Sequence, residues 1–248
     1  MDGVLPLAPS LDSIGPLAAS VQCCAILDGI MSGQPWSPSA EVDLSRQRYA
    51  VPTTVVLGDM DPAVASAFGA ALEKLRLAGA RIDKIEIPEF DQWRDINRKG
   101  GLVCAEAWQW HQSRLPADEA LYDPLVSSRI YLGADLSQAE YQEMLEARAR
   151  WIASVEARVA GYDALILPTA PLIAPRISEL EASEDAYFHA NRLLLRNTNL
   201  INFLDGCALS IPCHPAGTPP VGLMIASTRM KDDHVLNIGL AMERLLQA

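Results

Sequence analysis

The segment from Thr53 to Ile87 has the spacing of a strand, a helix and a second strand, and that order at that length constrains the chain more than any other feature. Thr53-Thr-Val-Val-Leu57 is a short β-branched run, which suits a pleated, half-buried backbone. Asp61 stands where a helix cap would, Pro62 occupies the first turn, and Val64, Phe68, Leu72 and Leu75 recur at helical spacing. Gly79 closes that helix, and Arg81-Ile-Asp-Lys-Ile-Glu-Ile87 then alternates apolar and polar residues. The expectation is a βαβ unit, whose parallel strands join through a right-handed crossover.

The rest of the chain keeps alternating. Before this unit, Leu17, Val21, Cys24, Ile26, Leu27 and Ile30 make a helix apolar on most faces, ended at Gly33, and such helices are usually buried. Gln34 to Val51, with Pro35, Pro38 and several serines, reads as a loop. Residues 89 to 133 read as irregular helices, interrupted at Gly100-Gly101 and jointed at Pro116 and Pro124. Ser137-Gln-Ala-Glu140 is a capping box that opens a long helix, on which Glu146 and Arg150 form a solvated i,i+4 pair. Ala164–Leu167, Ala208–Ile211 and Val221–Ala226 read as strands, with helices from about Asp185 to Leu204 and from Asp232 onward. The class is α/β; no internal repeat or clear linker interrupts it.

Charge and composition exclude some functions. Half of the 248 residues are hydrophobic and about a fifth charged, as in a globular protein. A formal charge of −11 opposes direct contact with nucleic acid or an anionic membrane. No apolar run is long enough to span a bilayer, and the first ten residues lack the basic and apolar regions of a signal peptide. The five cysteines form no CxxC pair, so reduced thiols are the reading, and the chain is taken as soluble and cytoplasmic. Phosphate-loop, dinucleotide, zinc-protease and nucleophile-elbow motifs are missing, and His111, His189, His214 and His234 are isolated from one another. Neither a metal nor a cofactor is implied. Cys207 and Cys213 sit in apolar strand contexts that raise a thiol's pKa and argue against a catalytic cysteine.

Four motifs carry a resemblance. Pro6-Leu-Ala-Pro-Ser-Leu-Asp-Ser-Ile-Gly-Pro-Leu-Ala-Ala-Ser20, Tyr162-Asp-Ala-Leu-Ile-Leu-Pro-Thr-Ala-Pro171, Arg196-Asn-Thr-Asn-Leu-Ile-Asn202 with Ala208–Pro212 and Pro220-Val-Gly-Leu223, and Asp233 to Glu243 follow one another in the order found in amidase-signature enzymes. The chain resembles the C-terminal part of that family's single domain over nearly all of residues 1–248. The resemblance implies a mixed β-sheet flanked by helices, and amide C–N hydrolysis by a Ser–Ser–Lys arrangement. In that chemistry a serine attacks only if a base takes its proton, and a lysine serves as base only if burial keeps it neutral.

None of that triad carries over. The four lysines, Lys74, Lys84, Lys99 and Lys231, stand outside the expected context, and the sole Gly-Gly, Gly100-Gly101, is followed by Leu102, not serine. Ser10, Ser13 and Ser210 lie in matched motifs but not at the nucleophile position. The expectation is therefore a C-terminal half whose catalytic residues are none of its own, acting on a small-molecule amide, with an N-terminal-half partner or a homo-oligomer completing it. A plain α/β binding domain is the alternative. Ser128-Arg-Ile-Tyr-Leu-Gly133 is similar to a run in the A subunits of glutamyl-tRNA(Gln) amidotransferases. That similarity implies that Arg129 clamps an anionic substrate group through its planar fork; a surface or helix-capping arginine is the other reading. Thr169 and Cys207 are expected to line the same cleft. Asp205-Gly-Cys207 departs from the family's Gly-x-Pro, which bears on substrate specificity.

Overall fold

The computed structural model describes residues 3–34, 36 and 42–247. In chain order the elements are α1 (Val21–Ser32), β1 (Arg48–Pro52), α2 (Pro62–Leu77), β2 (Arg81–Ile85), α3 (Glu89–Ile96), α4 (Gly101–His111), α5 (Leu115–Asp118) and α6 (Pro124–Tyr131). There follow α7 (Gln138–Val159), β3 (Ala164–Pro168), α8 (Ile177–Glu181), α9 (Glu184–Phe203), β4 (Cys207–Pro212), β5 (Gly222–Ser227) and α10 (Asp232–Gln247). The described residues gather into two compact units, one within 1–15 and 91–154 and the other within 16–90 and 155–248. Among the described residues no helix is long and apolar enough to cross a membrane.

The larger unit holds a five-stranded mixed sheet in the order β2-β1-β3-β5-β4. β1 pairs in parallel with β2 and with β3, whereas β5 runs antiparallel to both β3 and β4. Tyr49, Val51, Ile166, Leu223 and Ile225 pack with Phe68, Leu72 and Leu75 of α2 and with Val235, Leu236, Ile238 and Met242 of α10. Each fully buried aliphatic side chain of this kind contributes about 1.5–3 kcal/mol relative to exposure. By the alternation of strands, Ala50, Leu165, Leu167, Met224 and Ala226 face the other way, and all are buried too. The α2 helix begins as its sequence demands: the Asp61 carboxylate accepts from the Ala63 N–H, with Pro62 just inside.

Two expectations need correction. The strand lies at Arg48–Pro52, not at Thr53–Leu57, and it occupies the end of the stretch read as a loop, part of which (35 and 37–41) lies outside the described residues. Arg48–Pro52 is paired on both sides and almost wholly buried, while Thr53–Asp59 is a turn-rich loop in which Val55 (φ 65°) and Asp59 (φ 50°) are left-handed. Its Val56 and Gly58 carbonyls are taken by side chains of α9, so β-branched composition loses to a tertiary polar clamp. The α1 helix is not buried all round. Val21 and Ala25 pack with α10, but Ile26, Leu27, Ile30 and Met31 are exposed, Ile30 by 70%.

The smaller unit is helical. The Ser137–Glu140 capping box forms as read: the Glu140 N–H donates to Ser137 Oγ and the Ser137 N–H to Glu140 Oε2. Gly100 (φ 88°) and Gly101 (φ 67°) allow the turn before α4 that a side chain would strain. Glu106, buried on α4, accepts from the Ser10 N–H at 2.8 Å and the Tyr141 hydroxyl at 3.0 Å, and Arg148 donates to the Ser10 carbonyl. Asp12 accepts from the Leu7 and Ala8 N–H groups. The serine and aspartate of the first motif thus shape a pinned turn.

Candidate functional site

β1, β3 and β4 run in the same direction, so Pro52, Pro168 and Pro212 end at one edge of the sheet and Gly222 starts β5 there. In open α/β sheets the carboxyl ends of the strands are where ligands are generally held. Here that edge carries a concentration of polar side chains. The Thr169 N–H donates to the Gly222 carbonyl at 2.9 Å, which continues the β3–β5 ladder by one residue and fixes the threonine. Thr169 Oγ1 and Ser210 Oγ lie 2.6 Å apart, one hydroxyl donating to the other. The pair sits directly over Gly222: a Cβ there would come within 2.4 Å of Ser210 Oγ and 2.6 Å of Thr169 Oγ1. Two linked hydroxyls still offer one outward O–H and free lone pairs, so the pair can both donate to and accept from a ligand such as an amide.

Behind it stands a buried polar pair from α9. Arg196 and Asn197 are 4% and 0% exposed. Arg196 donates to the Val56 carbonyl at 3.0 Å, the Gly58 carbonyl at 2.8 Å and Asn197 Oδ1 at 3.0 Å. Asn197 Nδ2 donates to the Val56 carbonyl at 3.2 Å and the Pro168 carbonyl at 2.8 Å. The arginine's charge is met by Asp59 at 3.8 Å, an exposed carboxylate at the end of the same loop. Buried charge is tolerated only with such partners.

Of the expected site residues, Thr169 and Cys207 belong to the larger unit and Arg129 to the smaller. Thr169 lies at the edge just described. Cys207 pairs with Ser227 at the other end of the β4–β5 ladder, five residues along β5 from Gly222, about 17 Å away by strand rise. Its Sγ donates to the Thr228 carbonyl, and it packs with the α10 side of the sheet. Cys207 and Thr169 therefore line no common cleft; the register of the hairpin separates them. Burial, and then Asp232, pushes the Cys207 thiol up to about 11, and burial does the same to Cys213. Both are poor nucleophiles, as their apolar strand context implies. Arg129 belongs to the other unit, in the last turn of α6, where its charge acts on the buried Cys104 thiol; burial nonetheless holds that thiol up.

Each of the four lysines is exposed. Lys99 pairs with Glu140 at 2.8 Å and Lys74 donates to the Leu246 carbonyl. Among the described residues no group of three or more His, Cys, Asp or Glu could hold a metal ion. The sequence motifs contain Arg196, Asn197 and Ser210 without marking any of them as a site residue. A signal was present: Leu193, Arg196, Asn197, Leu200 and Ile201 follow i, i+3, i+4, i+7, i+8, so two polar residues occupy core-facing positions of an amphipathic helix.

The sequence pattern of the Amidase family matches residues 1–236. The chain is 31% identical over 251 residues to the 2-amino-5-chloromuconic acid deaminase of Comamonas testosteroni, covering 99% of this chain and 54% of that protein. It is 27% identical to the A subunit of a glutamyl-tRNA(Gln) amidotransferase from Clostridium botulinum, covering 98% and 56%. A crystal structure of an amidase superposes with a TM-score of 0.83 at 26% identity, over 98% of this chain and 55% of that one. The chain spans about half the length of the relatives it matches.

Proposed function

The chain belongs to the amidase family, and from that premise we propose that it is the C-terminal half of a hydrolase that cleaves the C–N bond of a small amide, with its Ser–Ser–Lys machinery on other polypeptide. One observation supports placing that machinery elsewhere. The chain matches its family over residues 1–236, yet each of its lysines is exposed. A lysine that takes a proton from serine must be neutral, and burial is what makes it so. In the complete enzyme a serine attacks the amide carbonyl, its proton passes through a second serine to the lysine, and backbone N–H groups hold the oxyanion. The C–N bond then breaks, the amine leaves with a proton, and water releases the acyl group as a carboxylic acid.

In this reading the present chain supplies the substrate side. Thr169 with Ser210 offers the donor and acceptor that an amide's carbonyl and N–H groups require. Arg129, in the smaller unit, is proposed separately and on the similarity of its run alone to hold an anionic group. The relatives, a deaminase and an amidotransferase component by name, work at carbon–nitrogen bonds, which favours the same class of chemistry here. The open apolar face of α1 favours a partner polypeptide or a second copy of the chain.

The test is ammonia release from a panel of primary amides. The purified chain is expected to release none, and ammonia is expected only when the chain is joined to polypeptide carrying a buried lysine and a Gly-rich serine loop. Turnover by the chain alone that disappears when one residue within 1–248 is replaced would overturn the proposal.

A further inference from the structure

We infer that Arg196 and Asn197 are positioning residues, which hold the Thr53–Asp59 loop and the Pro168–Thr169 junction so that the Thr169–Ser210 hydroxyl pair stands in one arrangement at the sheet edge. The inference takes that edge as the substrate side of an amide hydrolase, and so rests on the function proposed above.

The inner carbonyls of the loop are met by groups outside it. Between β1 and α2 the chain leaves the sheet after Pro52, and two non-glycine residues, Val55 and Asp59, take left-handed conformations. A β-branched valine disfavours that region strongly, so the conformation persists only where the surroundings impose it. Within the loop, the Val56 N–H bonds the Thr54 carbonyl and the Gly58 N–H the Val55 carbonyl. The Val56 and Gly58 carbonyls turn inward, and α9 meets them with three N–H···O bonds from the arginine and asparagine. Asn197 then spans two segments with one amide, taking both Val56 and Pro168 carbonyls. The Asp61 N–H bonds the Pro171 carbonyl and ties the same two segments again, on the far side of Thr169. Thr169 is thus flanked by anchored carbonyls at Pro168 and Pro171, and its own N–H is held by Gly222. An arginine suits this task better than a lysine because its planar fork serves several acceptors in fixed directions. Asn197 acts through Pro168 and the loop, and Arg196 through the loop and Asn197.

The experiment uses the full chain with methyl-labelled threonine and residue-resolved hydrogen exchange. Asn197→Asp is isosteric but puts an oxygen against the two carbonyls that Nδ2 now satisfies. It is expected to shift or broaden the Thr169 methyl signal, and to speed exchange of the Val56, Gly58 and Asp61 amides by about tenfold, the net worth of one hydrogen bond. Core amides such as Ile166 and Ile225 are expected to keep their rates. Arg196→Met should do the same, and Arg196→Lys should recover part of the protection. Acceleration by one common factor throughout the sheet, or a Thr169 signal unmoved while the loop opens, would overturn the inference. Where a variant fails to fold, the unaltered chain decides: Val56 and Gly58 amides protected like those of β1 support the clamp, and unprotected ones refute it. These readouts do not involve turnover, so amide hydrolysis by the isolated chain would sink the proposed function and leave the clamp standing.

Discussion

Gly222→Ala tests the geometry at the sheet edge most directly. An added Cβ would lie 2.4 Å from Ser210 Oγ, 2.6 Å from Thr169 Oγ1 and 3.1 Å from Thr169 Cβ. Real Cβ contacts do not fall below 3.0 Å, so both hydroxyls must move. Ser210 is exposed and can rotate away, which breaks its 2.6 Å bond to Thr169 at a net cost of about 0.5–1.5 kcal/mol. Thr169 has less freedom: its N–H is tied to the Gly222 carbonyl, and turning a β-branched side chain off its rotamer costs about 0.5–1.5 kcal/mol more. The sum is about 1–3 kcal/mol, a fall in Tm of roughly 2–12 °C for a chain of this size. Urea denaturation of Gly222→Ala, Ser210→Ala and the double variant measures it. Ser210→Ala alone should cost about 0.5–1.5 kcal/mol, because it removes that same bond. It removes the nearer of the two clashing oxygens, so it should rescue part of the Gly222→Ala loss, giving a coupling of about 0.5–1 kcal/mol. A neutral Gly222→Ala, or strict additivity, would refute the placement of the hydroxyl pair over that glycine.

Acid stability should follow Glu89. Arg158 donates to both its carboxylate oxygens, at 2.7 and 2.8 Å, and that hydrogen bonding holds the Glu89 carboxyl below its usual range against the opposing effect of burial. A carboxyl lowered in the folded state stabilises above its unfolded pKa of about 4.3, and that contribution fades as pH falls through the lowered folded value. Glu89→Gln should therefore melt lower at pH 7 and lose less between pH 5 and 3; identical acid slopes in the two proteins would refute the linkage. Alkylation at neutral pH should mark exposed Cys23 first. Cys207 and Cys213, each with a pKa pushed up to about 11, hold only ~10⁻⁴ of their thiol as thiolate at pH 7 and should react far more slowly than Cys23; labelling of either as fast as Cys23 would contradict this. The exposed face of α1 should drive self-association, so Ile30→Asp with Met31→Lys should lower the mass seen by light scattering. A monodisperse monomer before substitution would remove the basis for that expectation.

What can be read from the residues follows from how far each interaction reaches along the chain. Asp61 with Pro62, and Ser137 with Glu140, are contacts within a few residues, and both caps form as their spacing implies. Strand identity is a longer-range matter. Arg48–Pro52 is a strand because it pairs with residues more than thirty positions away on one side and more than a hundred on the other. The β-branched run beside it is drawn into a loop by side chains about 140 residues further on. The same holds at the site. Thr169 stands in a contiguous motif, whereas its hydrogen-bond partner Ser210 lies 41 residues away and is set against it only by the register of β3, β5 and β4. Cys207, three residues from Ser210 in sequence, groups with Thr169 only while that register is unknown; an odd number of residues along a strand turns a side chain to the opposite face. Polar residues in core-facing helical positions escape this limit. Arg196 and Asn197 announce in sequence that something buried must accept their hydrogen bonds, even though only the fold says that it is the Thr53–Asp59 loop and Pro168.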